Sequence, residues 1–207
     1  MSPRPEIAHL RRPQILTAAA EVIRERGVNR TRIADVAERM NVSPPALLYY
    51  FESKQELLRE ALIFAEECFY EEFADRLTSF ENARARLLWL VDSYIAADDY
   101  DAVLWIELWP HALRGGDLAR TRDSLDRRWR GAIASIIREG QEGGEFGGGD
   151  PDELALLVAS LLDGLAIQVA LEDREISYRR ARQLCLAMLE RELDCTLTAA
   201  EEGRRAA

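Results

Sequence analysis

Apolar residues recur at a helical period along almost the whole chain, and no segment shows the strict alternation of a half-buried β-strand. The pattern therefore predicts an all-α fold of about nine helices. Two short helices are predicted between residues 31 and 52, and the other predicted helices cover residues 11–26, 53–77, 82–97, 101–113, 117–141, 151–171 and 177–193.

Several helix boundaries are marked by residues with known terminal preferences. Gly27 follows the first helix and is expected to stop it, because glycine tolerates the left-handed backbone found at helix ends. Asp150, Pro151 and Glu153 suit the N-cap, first and third positions of a late helix. The run GGEFGGGD before that helix, residues 143–150, is expected to be a flexible connection.

Residues 31–52 predict two short helices joined by a tight turn. Apolar residues at i, i+3, i+4 and i+7 between Ile33 and Met40 give the first helix one apolar face. Thr31 is expected to supply the N-cap oxygen of this helix. Asn41 is expected to turn the chain after it, because asparagine tolerates the left-handed conformation of a sharp helix exit.

The second short helix combines a start signal with an unusual outer face. Ser43 is expected to cap it ahead of two prolines, for which a missing N–H costs little in the first turn. Leu47 and Phe51, at i and i+4, are expected to point into the core. The opposite side then carries Pro45, Ala46, Leu48 and Tyr49, with Tyr50 at the flank. This arrangement is typical of a helix placed in the DNA major groove.

The charge balance agrees with this hypothesis once it is divided by position. Residues 1–54 hold nine Arg and Lys against six Asp and Glu, a net charge of +3. The remaining residues hold eighteen against thirty-one, a net charge of −13. Phosphate contacts need only a local basic surface, which the N-terminal segment supplies.

The basic residues of that segment differ in their expected roles. Lys54 is the only lysine among the 27 basic residues, and it lies in the first turn of the long helix that a capping box from Ser53 to Glu56 begins. We expect it to contact phosphate. For Arg24, Arg26 and Arg39 we expect a solvated helix face instead.

From about Arg11 to Leu58 the sequence resembles the DNA-binding domain of the tetracycline-repressor (TetR) family. Two positions depart from the family pattern, because Asn41 replaces the usual glycine and Leu48 replaces a common tyrosine. The residues at the family's habitual spacing are Thr31, Ile33, Asp35, Ala37, Val42, Ser43, Leu47, Tyr49, Tyr50, Phe51, Ser53 and Lys54. The resemblance implies a three-helix helix-turn-helix domain over residues 1–54. Its expected DNA contacts are Thr31, Arg32, Ser43, Pro44, Pro45, Ala46, Leu48, Tyr49, Tyr50 and Lys54.

The segments WIELWPHALR and LLDGLAIQ and the Trp129-Arg130 pair resemble the C-terminal region of the BetI-like branch of that family, over about residues 80–190. The resemblance implies a helical ligand-binding and dimerisation domain over residues 55–195, followed by a disordered tail over 196–207. The expected pocket residues are Phe69, Trp89, Tyr94, Trp105, Trp109, Trp129, Asp163 and Ile167. An aromatic stripe at helical spacing is also typical of an ordinary core, and that alternative stays open.

Asp163 lies near the centre of residues 154–171, a run long and apolar enough to mimic a membrane span. A carboxylate there would cost about 2.5–3.5 kcal/mol in a bilayer, so a buried helix in an assembly explains the run better. The last two helices are expected to form a homodimer interface. The Asp163 carboxylate needs a partner, which could be the Trp129 N–H, an arginine or a cationic ligand. We favour an internal partner.

The sequence thus predicts a cytoplasmic, homodimeric repressor of a palindromic double-stranded operator, released by a small cationic or aromatic effector. An activator, or a helical adaptor that has lost DNA binding, remains the alternative. Enzymatic activity is not expected, because His9 and His111 lie in no recognisable nucleophile setting and no glycine-rich phosphate loop occurs. No cofactor, metal site, membrane segment or secretion signal is predicted, and the three cysteines are expected to be reduced packing residues.

Overall fold

The computed structural model describes residues 5–96, 104, 106, 109–110, 112–113 and 117–197 of the 207-residue chain, with the backbone alone at 5–11 and 117–118. These residues form eight helices and no strand, which confirms the all-α prediction. The helices are α1 (Pro5–Arg26), α2 (Ile33–Arg39), α3 (Pro44–Leu48), α4 (Lys54–Leu77), α5 (Ala83–Ile95), α6 (Asp117–Glu142), α7 (Pro151–Ala170) and α8 (Tyr178–Glu192).

The ninth predicted helix, over residues 101–113, lies largely outside the described residues. Those that are described between 104 and 112 are helical, and the Leu113 N–H donates to the Trp109 carbonyl over 3.0 Å. The expected pocket residue Trp105 and residues 198–207 of the expected tail also lie outside the described part of the chain. At the start of that tail, Leu197 is buried and its N–H donates to the Glu190 carboxylate over 2.7 Å, so the expectation of disorder from residue 196 is wrong there.

The predicted boundary residues define most of the helix ends. Gly27 adopts a φ of +77° and ends α1, as predicted. The Asp150 carboxylate accepts from the Asp152 and Glu153 N–H groups over 2.9 and 3.1 Å, which confirms Asp150 as the N-cap of α7. The first helix begins earlier than predicted, at Pro5, and contains Pro13 within its length.

Contacts group the chain into two compact units. The first contains α1, α2, α3, α4 as far as Phe73, and the described residues from 104 to Arg122. Its core is built from the inward faces of these helices, with Ile15, Ala19, Val22, Ile23, Val36, Leu47, Phe51, Leu57, Ala61 and Leu62 buried. The packing division thus falls within α4, past the functional boundary expected at residue 54, because α4 buries its apolar side chains beside α1–α3.

The second unit contains the end of α4 from Ala74, the helix α5, α6 from Asp123, and the helices α7 and α8. Three of these helices, α5, α7 and α8, pack against one another. Among the described helices, α7 is the one that is long and apolar enough to span a membrane, with a mean hydropathy of 1.7. Only 39% of that segment is buried inside the chain. Its inner face is core, while Leu156 and Leu157 remain exposed.

The glycine-rich run 143–150 is an ordered junction, so the expectation of a flexible connection is wrong. The Glu145 carboxylate accepts from the backbone N–H groups of Ala83 and Arg84, both over 3.1 Å, at the start of α5. Phe146 is buried, and the Gly147 N–H donates to the Leu193 carbonyl over 2.6 Å at the end of α8. The glycines permit close backbone approach here, and the run, which connects α6 to α7, also bonds to the start of α5 and to the end of α8.

Gly148 should be the least replaceable glycine of this junction. Its φ is +94°, and a Cβ atom would lie 2.1 Å from the Glu192 carbonyl oxygen. We expect Gly148→Ala to lower the free energy of unfolding by about 1–3 kcal/mol, measured by urea denaturation. Gly149 has open space around it, so Gly149→Ala is the matched control and should change stability by less than about 0.5 kcal/mol. If both substitutions lowered the free energy of unfolding equally, the close backbone contact at Gly148 would not be what stabilises the junction.

Candidate nucleic-acid interface and aromatic cluster

The first short helix starts differently from the prediction. The N-cap of α2 is Arg32, whose N–H donates to the Asp35 carboxylate over 2.8 Å. Thr31 is fully buried, and its hydroxyl donates to the Gly27 carbonyl over 2.8 Å. The expectations that Thr31 caps α2 and that its side chain contacts DNA are therefore wrong. Thr31 instead anchors the end of α1 to the start of α2.

The turn between α2 and α3 confirms the role of Asn41. Its φ is +53°, in the left-handed region. The Val42 N–H donates to the Ala37 carbonyl over 2.9 Å, and the Asn41 N–H donates to the Glu38 carbonyl over 3.0 Å. This pair of bonds is the Schellman motif, in which the two donors satisfy carbonyls that the helix end leaves open. Asparagine therefore serves here in place of the family's usual glycine.

Ser43 occupies the N-cap of α3, as predicted, but its hydroxyl forms no cap hydrogen bond. Pro44 and Pro45 have no N–H to offer it. The next donor, the Ala46 N–H, bonds to the Ser43 carbonyl over 2.9 Å. The predicted side-chain cap is thus wrong, and the exposed Ser43 hydroxyl is left facing outward.

The two faces of α3 are sharply different. Leu47 and Phe51 are buried at 1% and 2% exposure, which confirms their predicted inward direction. Leu48 and Tyr49 are 50% and 63% exposed. Tyr50 and Lys54 are half-buried at the edge. The exposed residues that surround these are Arg32, Ser43, Pro44, Pro45 and Ala46. We use the term recognition surface for the predicted DNA contacts other than Thr31: Arg32, Ser43, Pro44, Pro45, Ala46, Leu48, Tyr49, Tyr50 and Lys54.

Two aromatic rings border this surface. The Tyr49 and Tyr50 rings meet edge to face with their centroids 5.4 Å apart. Tyr49 is the C-cap of α3, so the pair stands at the end of this helix. Ser53 then begins the next helix as predicted, its hydroxyl accepting from the Glu56 N–H over 3.1 Å. Lys54 is thereby fixed in the first turn of α4.

Several arginines of the first unit are engaged with carboxylates. Arg39 pairs with Glu21 over 2.9 Å and with Glu25 over 2.5 Å, and the hydrogen bond from Arg39 lowers the pKa of the Glu25 carboxyl. Arg26 pairs with Asp35 over 2.7 Å. These ion pairs tie Arg26 and Arg39 to carboxylates of the protein itself.

Arg30 and Arg32 have a different setting. Both are exposed, and among the described residues neither forms an ion pair. They border a shallow polar groove of about 570 Å³ that Glu25, Arg26, Asn29 and Asp35 also line. The sequence predicts Arg32 as a DNA contact, and Arg30 is one of the nine basic residues of the N-terminal segment.

Three of the expected pocket residues come together in the second unit. The Tyr94 and Trp129 rings stack with their centroids 4.7 Å apart and an interplanar angle of 19°. The Tyr94 hydroxyl donates a short hydrogen bond to the Asp163 carboxylate. We call these three residues the aromatic cluster. The expected internal partner of Asp163 exists, but it is Tyr94, which the sequence reasoning had placed in the pocket without assigning it this bond.

The contacts of the other expected pocket residues are as follows. Ile167 is half-buried one turn beyond Asp163 on α7. The Trp89 ring lies 5.6 Å from that of Phe80. In the first unit, the Phe69 ring contacts those of Tyr70 and Phe73, and the Arg122 guanidinium lies 5.3 Å from the centre of the Trp109 ring.

Sequence reasoning missed two residues that the structure makes prominent. Glu66 is a buried carboxylate on α4, on the same face as Leu62, Tyr70 and Phe73. Its place at a helical spacing from these apolar residues is the signal that could have found it. Arg12 makes three contacts to residues at least 38 positions away, for which the sequence contains no periodic signal.

Metal-ligating side chains form no cluster in the described residues. No group of three or more His, Cys, Asp or Glu side chains there is arranged to hold a metal ion. The three cysteines are free thiols among these residues. Burial raises the pKa of the Cys185 thiol to about 12, so its reactive thiolate form is scarce near neutral pH.

Comparison with known proteins agrees with both halves of the chain. The sequence profile of bacterial regulatory proteins of the tetR family matches residues 15–61, and that of the BetI-type transcriptional repressor C-terminal region matches residues 83–194. The HTH-type transcriptional regulator BetI of Cronobacter sakazakii is 28% identical over 193 residues, which cover 89% of this chain and 91% of that protein.

Two solved structures show the same architecture. A candidate transcriptional regulator from Saccharomonospora viridis, solved in complex with choline, is 30% identical with a TM-score of 0.80, covering 88% of this chain and 96% of that chain. A candidate TetR-family regulator from a Rhodococcus species is 28% identical with a TM-score of 0.71, covering 88% and 98%. Together with the two profile matches, these relatives establish that the chain belongs to the TetR family of bacterial DNA-binding transcriptional regulators, with a BetI-type C-terminal region, and is not an enzyme.

Proposed function

We propose that the chain is a homodimeric repressor that binds a palindromic operator through the recognition surface and is released by a small cationic effector. The observation that carries this proposal is the outer face of α3, where Leu48 and Tyr49 stand exposed directly opposite the buried Leu47 and Phe51. Because Leu47 and Phe51 are buried in the core, Leu48 and Tyr49 must point away from it. The helix therefore presents apolar and aromatic groups at a surface where charged side chains are usual.

The residues of the recognition surface divide by the part of DNA they suit. The Leu48 side chain can contact a thymine methyl group, and the Tyr49 hydroxyl and ring can contact a base edge or a phosphate. Lys54 and Arg32 carry the positive charge that phosphates require. Base contacts give the protein its sequence preference, whereas phosphate contacts give it salt-dependent affinity.

Replacing Tyr49 should weaken specific binding without unfolding the protein. We expect Tyr49→Ala to cost about 1–3 kcal/mol of operator affinity, because its ring is exposed and contributes little to the core. The measurement is fluorescence anisotropy with the DNA upstream of the protein's own gene, against scrambled DNA, at two salt concentrations.

Lys54→Gln is the contrasting variant in the same assay. The loss of a phosphate contact should weaken binding to both DNAs alike and reduce the slope of log affinity against log salt by about one. Tyr49→Ala should leave that slope nearly unchanged. Equal, weak binding of the unmodified protein to both DNAs would instead favour the adaptor alternative.

The exposed side of α7 supports a dimer formed through the last two helices. Leu156, Leu157, Ser160, Gly164 and Leu171 are all exposed in the single chain. Apolar and small side chains at this spacing let a second helix approach closely. A two-fold pair of chains can then present two α3 helices to half-sites about 34–36 Å apart on DNA.

A charge placed on this side of α7 should separate the dimer. We expect Leu157→Glu to be mainly monomeric at micromolar concentration, because the interface would bury an unpaired carboxylate. Sedimentation velocity measures the change. Leu113→Glu places the same charge at another exposed leucine, outside α7 and α8, and should leave the dimer intact. If the Leu157→Glu protein remained dimeric, the dimer interface would not involve this side of α7.

The aromatic cluster supports a cationic effector, with a quaternary ammonium compound as the favoured class. Aromatic faces and a carboxylate are the groups that recognise such a cation, at roughly 2 kcal/mol per desolvated cation–π contact. The Saccharomonospora relative was solved with choline. An effector that favours one arrangement of the dimer shifts the population toward it and can release DNA with about 1–3 kcal/mol of coupling.

Asp163→Asn tests the cluster with little disturbance of the fold, because the asparagine side-chain oxygen can still accept the hydrogen bond from the Tyr94 hydroxyl. We expect choline and tetramethylammonium to release the unmodified protein from DNA, and Asp163→Asn to need at least about tenfold more of either compound. The control is Asp152→Asn, which removes the same charge from the first turn of the same helix. Equal responses of all three proteins would exclude Asp163 from effector binding.

A further inference from the structure

Arg12, on α1, joins three elements of the first unit through one guanidinium group. Its Nη1 atom donates to the Tyr50 carbonyl over 2.8 Å, and its Nη2 atom donates to the Glu60 carboxylate over 2.6 Å. The guanidinium carbon also lies 4.4 Å from the centre of the Phe51 ring. The three contacts reach the chain just after α3 and the second turn of α4.

The hydrogen bond from Arg12 reaches the backbone directly after the C-cap of α3. The helix α3 ends at Leu48, and its C-cap is Tyr49, so the Tyr50 carbonyl belongs to the first residue beyond the helix. The Tyr50 and Phe51 N–H groups both donate to the Leu47 carbonyl, over 2.9 and 3.2 Å. A cation at this end complements the partial negative charge of the exposed carbonyls. Arg12 thus fixes the backbone that carries the Tyr49 and Tyr50 side chains.

The Glu60 carboxylate connects the same guanidinium group to α4. It lies on α4, six residues after Lys54, and receives the second branch of the same planar guanidinium. A guanidinium can hold a carbonyl and a carboxylate at once because its donors form a rigid fork, and the plane of the group also stacks on a ring. A lysine ammonium at this position could form only part of this set of contacts.

We propose that Arg12 is a positioning residue for DNA recognition, which ties the exit of α3 to α4 through Glu60 and so sets the orientation of Tyr49 and Tyr50. This inference rests on the proposed function for its effect on DNA. Arg12 bonds to the backbone of Tyr50, a residue of the recognition surface, so its effect on DNA binding comes from the residues that it positions. A shift of α4 is passed to the exit of α3 through the Glu60 and Tyr50 bonds.

The test compares Arg12→Gln with Arg39→Gln, a closely matched control. Both arginines belong to the first unit, their side chains are 35% and 32% exposed, and each loses one positive charge in the variant. Arg39 pairs with Glu21 and Glu25, so its loss affects the contact of α2 with α1 and leaves the exit of α3 alone. Any difference between the variants therefore reports the link to Tyr50 and Glu60.

Two readouts are needed, and the first does not involve DNA. Amide hydrogen exchange is measured by mass spectrometry on peptides from residues 43–52 and from the rest of the first unit. We expect Arg12→Gln to raise exchange by about tenfold in the 49–52 segment, with little change in α1 and α2, whereas Arg39→Gln leaves that segment unchanged. A uniform rise across the unit would mean a merely structural role and would overturn the proposal.

The second readout is affinity for an operator selected from random DNA with the unmodified protein. We expect Arg12→Gln to lose about tenfold in specific affinity with non-specific affinity unchanged, and Arg12→Lys to recover part of the loss. Adding Glu60→Gln to Arg12→Gln should cause no further loss beyond that of Arg12→Gln alone, because Glu60 acts through Arg12. Unchanged operator affinity in Arg12→Gln would overturn the proposal. If the unmodified protein selected no DNA, the proposed function would be wrong. The hydrogen-exchange result would still show whether Arg12 orders the chain after α3.

Discussion

A five-residue helix cannot hold its shape in water, and this constraint governs the whole N-terminal half of the chain. The helix α3 is too short to be stable by its own hydrogen bonds, so it exists because Leu47 and Phe51 are buried beneath it. The Schellman turn at Asn41 sets its entry, and the buried Thr31 fixes the preceding helix to α1. The exposed residues of the recognition surface depend on these anchors for their direction.

The C-terminal half is held by polar contacts as well as by its apolar core. The Glu145 carboxylate supplies acceptors to two N–H groups at the start of α5, and the Gly147 N–H meets the end of α8. Farther along the same unit, the Arg182 guanidinium pairs with Asp92 over 2.5 Å and so joins α8 to α5. These contacts align the helices around the buried Tyr94 and Trp129 rings.

The sequence allowed the helices, most of their ends and the two faces of α3 to be predicted, because these follow from local periodicity and from the backbone preferences of single residues. Asp150 at a helix start and Gly27 at a helix end are examples. The remaining features are pairings between distant polar groups, such as Glu145 with Ala83 and Tyr94 with Asp163. Sixty or more residues separate each pair, and nothing in a helical period records which groups will meet. The order of the glycine run was missed for the same reason, since its composition alone is also that of a flexible linker.

Pro44 and Pro45 give the start of α3 a property that most helix starts lack. Most helices begin with several unpaired backbone N–H groups, and these can bind an anion independently of the side chains. Here two of those donors are absent and the third is already used by the Ser43 carbonyl. The start of α3 therefore has few free backbone donors for an anion, and under the proposed function its contacts to DNA would come from side chains. Under the proposed function, replacing single exposed side chains of α3 would change which DNA sequence is bound and leave the buried scaffold unaltered.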